Sequence, residues 1–148
     1  MSYTELFTEG HQPGGELYPA LKSVAAHNGA WISLSIHQRV VFIIQVGAMT
    51  ALSTVDFLVQ QDILGAGASA KVITGKAITQ LTQAGGDGND LCAVEVRSEE
   101  LDVDGAFCWV RGVLTVGTDT AQVAVLPLRF VANYPPVSTA GWTEIISA

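Results

Sequence analysis

The stretch GGDGNDLCA, residues 85–93, is where this chain comes nearest to a chemical motif. It fits the nine-residue G-G-x-G-x-D-x-U-x pattern of calcium-binding β-rolls at every position. In such rolls each ion sits between the turns of successive repeats, so one copy supplies only part of a coordination shell. The flanking segments, KAITQLTQA before and VEVRSEELD after, do not repeat the pattern. The same residues have a plainer use. Gly85, Gly86 and Gly88 supply positive φ, Asp87 and Asn89 suit a tight turn, and Asp90 opens a strand. The expectation is a turn without calcium.

Other candidate groups give no stronger constellation. SEELDVDGA gathers Glu99, Glu100, Asp102 and Asp104, but the EF-hand spacing and its terminal Glu are missing, so a solvated acidic loop is expected. Cys92 and Cys108 lie sixteen positions apart with no C-x-x-C and no neighbouring His, which reads as two small buried thiols rather than a zinc site. His11, His27 and His37 have no Cys or Asp at a recognisable catalytic spacing, and no G-x-S-x-G is present. GAGASAK lacks the strand–helix context and the G-K-[ST] ending of a phosphate loop. These residues predict no enzyme, no metal and no other cofactor.

Composition narrows the partners. The net charge is −7, with 49% apolar and 14% charged residues over 148 positions. Lys22, Arg39, Lys71, Lys76, Arg97, Arg111 and Arg129 are scattered singly, so no basic stripe exists to displace counterions from phosphates and no nucleic-acid partner is expected. Apolar runs such as Val40 to Ile44 fall far short of the roughly 20 residues that span a bilayer, so no membrane partner is expected. MSYTELFTEG lacks a positive region followed by an apolar one, which predicts no signal peptide and folding in the cytosol. So few charges leave little polar material to cover a monomer, and some apolar surface is expected to meet other subunits.

The elements that would carry such a surface are short β segments. Trp31 to Ser35 is a candidate first strand. Gln38 to Gly47 has Val40, Phe42, Ile44 and Val46 on one face and Val41 and Ile43 on the other, which predicts a central strand or one whose outer face meets a neighbour. Thr54 to Gln61 points Val55, Phe57 and Val59 inward against Asp56, Leu58 and Gln60. After the loop LGAGASA comes a brief Lys71 to Thr74 strand. KAITQLTQ, residues 76–83, suits either a helical turn or a strand and is assigned to β. Asp90 to Arg97 and Ala106 to Gly117 alternate again, with Cys92, Val94, Val96, Cys108, Val110, Leu114 and Val116 inward and a Glu95–Arg111 cross-strand pair possible. In Thr120 to Ala132 the apolar parity changes at Pro127, which predicts an edge strand or a bulge there.

The resulting fold class is all-β: a single jelly-roll-like β-sandwich of about eight strands, residues 30–132, with an N-terminal arm at 1–29 and a C-terminal arm at 133–148. Both arms carry isolated apolar anchors among Gly and Pro. That pattern fits ordering on a partner's surface or folding back over the sandwich. Tyr3, Phe7, Tyr18, Trp31, Tyr134, Pro135 and Trp142 are the expected interface residues, because aromatics dominate such contacts.

WISLSIHQRVVFIIQVGAM, STVDFLVQQD, AKVITGKAITQLTQAGGDGNDL, VEVRSEELD, WVRGVLTVGT and FVANYPPVS together resemble a group of tailed-bacteriophage structural proteins, the capsid cement or decoration proteins of short-tailed phages, over about residues 31–138. The resemblance implies a small jelly-roll virion protein that sits on the outside of the capsid and clamps neighbouring subunits of the major capsid protein. A homo-oligomer, dimer or trimer, is also expected. The motifs are structural, so no residue with a chemical role carries over. A carbohydrate-binding jelly-roll module using Trp31 and Trp109 as a platform, or a head-fibre or tail component, are the competing readings.

Overall fold

Alternation of β-branched and aromatic residues with polar ones leaves each strand one dry face, and two such sheets cover each other. The fold is that of a computed structural model, which describes residues 6–132 and Ile145. A single helical turn, α1 (Phe7–Gly10), leads into β1 (Gln12–Pro13), β2 (Leu17–Lys22), β3 (Ala25–Asn28) and β4 (Ile32–Ser33). The long strands β5 (His37–Met49) and β6 (Thr54–Asp62) follow, then β7 (Lys71–Ala77), β8 (Leu81–Thr82), β9 (Leu91–Arg97), β10 (Trp109–Gly117) and β11 (Ala121–Ala132).

Among the described residues all pairings are antiparallel. In the first sheet β1 and β2 lie end to end along β11, followed by β5 and β9. In the second, β3 and β4 lie along β10, followed by β6, whose far side takes β7 and β8. With each end-to-end pair counted as one position there are eight, ordered 1-8-3-6 in one sheet and 2-7-4-5 in the other. That is the double Greek-key order of a jelly roll. Between the sheets, Val40, Phe42, Ile44 and Val46 of β5 meet Val55, Phe57 and Val59 of β6, with Val94, Val96, Val110, Leu114, Val116, Val123 and Val125 completing the core.

Several expectations change. Of the two fates open to the N-terminal segment, residues 12–28 take the second. They are extended, but two of the eight strand positions come from them, so the sandwich begins at residue 12 rather than 30. Leu17 packs on the core while Tyr18 to Leu21 stay exposed, which is how an edge strand with one anchor reads in sequence. Trp31 to Ser35 shrinks to β4, a short continuation along β10. KAITQLTQ divides between the end of β7, a break and β8. Pro127 marks neither an edge nor a bulge: it faces Phe42 in an unbroken stretch of the β5–β11 ladder, and the register shifts lie nearer the start of β11. On its other side the partner strand is interrupted between Leu17, opposite Val125, and Pro13, opposite Leu128, so the missing N–H breaks no pairing there. The C-terminal arm, residues 133–148 apart from Ile145, lies outside the described residues.

Candidate interaction surface

The acidic and glycine-rich stretches resolve into structural hydrogen bonds. Asp87 accepts the Thr82 amide at 2.7 Å, Thr82 Oγ1 accepts the Gly85 amide at 3.0 Å, and the turn closes through Gly86 at φ +83° and Asn89 at φ +68°. Gly85 and Gly88 do not have positive φ, contrary to expectation. Among the described residues no group of three His, Cys, Asp or Glu side chains is placed to hold a metal.

The acidic loop is also less solvated than its charge implies. Glu99 pairs with Arg97 at 2.8 Å, Glu100 with Lys76 at 2.8 Å, and Asp102 with Lys71, whose ammonium also lies 4.1 Å from the Phe107 ring centre. The Glu95–Arg111 pair does not form, because β9 and β10 belong to different sheets. Glu95 instead meets Arg39 at 3.4 Å, and Arg111 Nε donates to Gln60 at 2.9 Å.

Lys76 and Glu100 tie the second sheet to the first across their open edge. The hydrogen bond from Lys76, joined by the Arg97 amide, holds the Glu100 carboxyl at about 2 against an ordinary 4.5. A depressed carboxyl stabilises the fold above its unfolded pKa, and the contribution fades as pH falls from about 4.5 towards 2. Glu100→Gln is therefore expected to cost about 1 kcal/mol near neutral pH, discounted for partial exposure, and almost nothing near pH 2. Urea midpoints of both proteins across that range check it.

The cysteines and histidines make mostly local contacts. Both cysteines are half-buried rather than buried. Burial, reinforced by Asp90 and Asp87, raises the Cys92 thiol above its usual range, which disfavours the thiolate. Cys108 Sγ donates to the Ile63 carbonyl at 3.8 Å. His11 and His27 each donate to a local carbonyl, of Phe7 and Ser23, at 2.9 Å. His37 is buried at the start of β5.

Of the expected interface residues, Phe7 is exposed and stacks on His11 with centroids 4.1 Å apart, and His11 in turn lies 5.8 Å from Phe130. Tyr18 is 74% exposed on edge strand β2. Trp31 is half-buried on the other sheet, under the Arg111 guanidinium at 4.6 Å. The fold does not gather these three. Tyr3, Tyr134, Pro135 and Trp142 fall outside the described residues.

One surface element was not foreseen. The buried Asp62 carboxylate accepts the backbone amides of Ala66, Gly67 and Ser69 at 2.9 Å each, bracing the loop that had read only as LGAGASA. Burial pushes this carboxyl upward, but the amides of Gly67, Ser69, Ala66 and Ile63 outweigh that and leave it below its ordinary value. The Gly65 backbone sits against the Trp109 ring, where an added Cβ would fall 2.6 Å from ring carbon, and Gly67 lies beside Trp31. One face of each tryptophan is thus taken, by the loop on Trp109 and by Arg111 on Trp31. Leu64 stands 77% exposed on the braced loop. An Asp preceding a Gly/Ala/Ser loop is the sequence signal, since such a loop has amides free to be capped.

The outer face of the first sheet carries a second set of apolar side chains. Its registered rows are Leu126–Ile43–Ala93 at the centre, Ala124–Gln45–Leu91 on one side and Leu128–Val41–Glu95 on the other. Next to the second of these rows, a shallow groove of about 340 Å³ is lined by Pro19, Leu21, Gln45, Gly47, Gln122 and Ala124. A half-buried antiparallel sheet usually turns a polar face to water; this one does so at Gln45, Glu95, Arg39 and Arg97 but interrupts it with the apolar row Leu126–Ile43–Ala93.

Fold and surface together define an all-β jelly-roll sandwich with ordered apolar projections. No family model matches the chain, and neither curated proteins nor solved structures give a match.

Proposed function

We propose that this chain is a structural virion protein, a capsid cement or decoration protein of a tailed phage. In this reading it folds in the host cytosol, binds the outer surface of the assembled shell and clamps neighbouring major-capsid subunits by adhesion alone. The observation that carries the reading is the exposure of Tyr18 and Leu64 on backbone already fixed by strand pairing and by Asp62. Anchors held this way add contact area with little ordering cost on binding. The cement-like stretches over residues 31–138 support the same reading. Binding the assembled shell but not its free subunits stabilises the shell by mass action.

The test is co-sedimentation of the purified protein with undecorated capsids. Saturable binding is expected. Tyr18→Ser and Leu64→Ser should each weaken it by roughly tenfold, the effect of losing an interface anchor of about 1–2 kcal/mol, with melting temperature unchanged. Absence of binding counts against the proposal, and glycan-array hits without capsid binding would favour the carbohydrate module instead.

A further inference from the structure

Where β11 ends, the sandwich is covered more fully than its own strands explain. Leu128 faces outward and lies outside the core cluster between the sheets, yet it is 8% exposed, against 39% for Leu126, the preceding outward residue of β11. A cover therefore lies over the end of β11 and stops short of the central row. His37 and its strand partner Ala132 stand at the very ends of β5 and β11, and the His37 ring is buried as well. The helical turn α1 supplies part of this cover: it packs on β11, and Phe7, His11 and Phe130 stack in a row. It is only four residues long. Phe7, His11, Gln12 and Gln38, all around this corner, each make a further interaction besides these.

The chain itself supplies an occupant at this place. Residues 133–148, NYPPVSTAGWTEIISA, continue directly from Ala132 and can reach about 50 Å at about 3.3 Å per residue, ample to fold back over the corner. Ile145, the one described residue among them, is half-buried, so its side chain rests on other groups. Pro135 and Pro136 restrict the free backbone, which lowers the entropy lost on docking.

We infer that residues 133–148 form an intramolecular strap that folds back over the α1–β11 corner, with Phe7, Leu128 and Phe130 as its seat. Tethered at Ala132, at the edge of that seat, the segment meets it at a high effective concentration. Neither a second copy nor a capsid subunit matches that in dilute solution. The N-terminal residues 12–28 already return to the sandwich in the same way. The inference stands apart from the proposed function: it takes Tyr134, Pro135 and Trp142 out of the capsid contact and leaves that contact to Tyr18 and Leu64.

Hydrogen exchange of the full chain without capsid, read by mass spectrometry, tests the strap. Amides in residues 137–148 should exchange at least about tenfold more slowly than in a free peptide of the same sequence. Phe7→Ser, at an exposed position, and Ile145→Ser should each remove that protection while exchange in β5, β6 and β10 stays unchanged. The double variant should do no more than either alone, because both break one contact. Protection should also survive about a hundredfold dilution, as a tethered contact must. Free-peptide rates in the wild type, or protection that Phe7→Ser leaves intact, would overturn the inference. So would protection that fades on dilution, which assigns the seat to a second copy, or protection gained only on capsids. A strapped chain that binds no capsid keeps the strap and loses the proposed function. Capsid binding with residues 137–148 unprotected throughout does the reverse.

Discussion

Phe57→Ala is expected to lower the unfolding free energy by about 3–5 kcal/mol, the usual cost of emptying a packed aromatic site, and the melting temperature by roughly 10 °C. Phe57 of β6 and Phe42 of β5 are both fully buried and come from opposite sheets, with ring centres 5.6 Å apart at 50°. Their contact joins the two layers at the centre, so the lost volume cannot be recovered by one strand relaxing. Total stabilities of about 5–15 kcal/mol make this a large share of the whole. The backbone adds a sharper expectation. Gly112 of β10 leaves room for the Phe57 ring: an added Cβ would lie 2.6 Å from two of its carbons. Gly112→Ala alone should cost about 1–3 kcal/mol by overpacking. In the Phe57→Ala background the new methyl enters the vacated space, so the double variant should be less destabilised than the sum of the two. Urea unfolding of the four proteins measures the coupling, and strict additivity would show that the ring does not rest on Gly112.

The strands from Gln38 onward were legible because their inward residues keep one parity, from Val40–Phe42–Ile44–Val46 to Val123–Val125. Periodicity reports burial of one face, and the long central strands have enough residues to show it. The first two jelly-roll positions were not legible for the converse reason. β1 has two residues, β2 buries little besides Leu17, and β3 is mostly exposed, so edge strands held by backbone pairing leave almost no side-chain pattern. Pro127 misled for a related reason: whether a proline interrupts a sheet depends on where the neighbouring strand ends, and that is a long-range fact. The apolar part of the outer face was half-visible, because Val41 and Ile43 already gave β5 apolar residues on both sides. Leu126, Ala93 and Leu91 join them only once strand order is known. The Glu95–Arg111 pairing failed on the same point. Facing parity within a strand follows from local sequence, whereas which strand lies beside it does not.

Acidification should weaken the fold through His37, and removing that side chain should abolish the effect. The ring is 1% exposed at the start of β5, opposite Ala132, and neither of its nitrogens has a hydrogen-bond partner. Nε of the nearby Arg129 is likewise buried and unpartnered, while its other nitrogens reach the Ser33 and Pro13 carbonyls at 3.4 and 3.5 Å. Burial, and then the Arg129 charge, hold the His37 pKa below 6.5. The imidazole is therefore neutral in the folded protein at neutral pH, and the unfolded chain takes up the proton first as pH falls. Unfolding then consumes protons, so stability is fully present above about pH 6.5, declines below it, and levels off once the folded pKa is passed. His37→Leu removes both the titration and two orphaned polar atoms, whose burial costs about 1–3 kcal/mol. That variant should match or exceed the wild type near pH 8 and exceed it by more near pH 5.5. Parallel stability curves for the two proteins across this range would mean that the proton never distinguishes folded from unfolded His37, and that this corner of the sandwich opens readily enough to let water reach the ring.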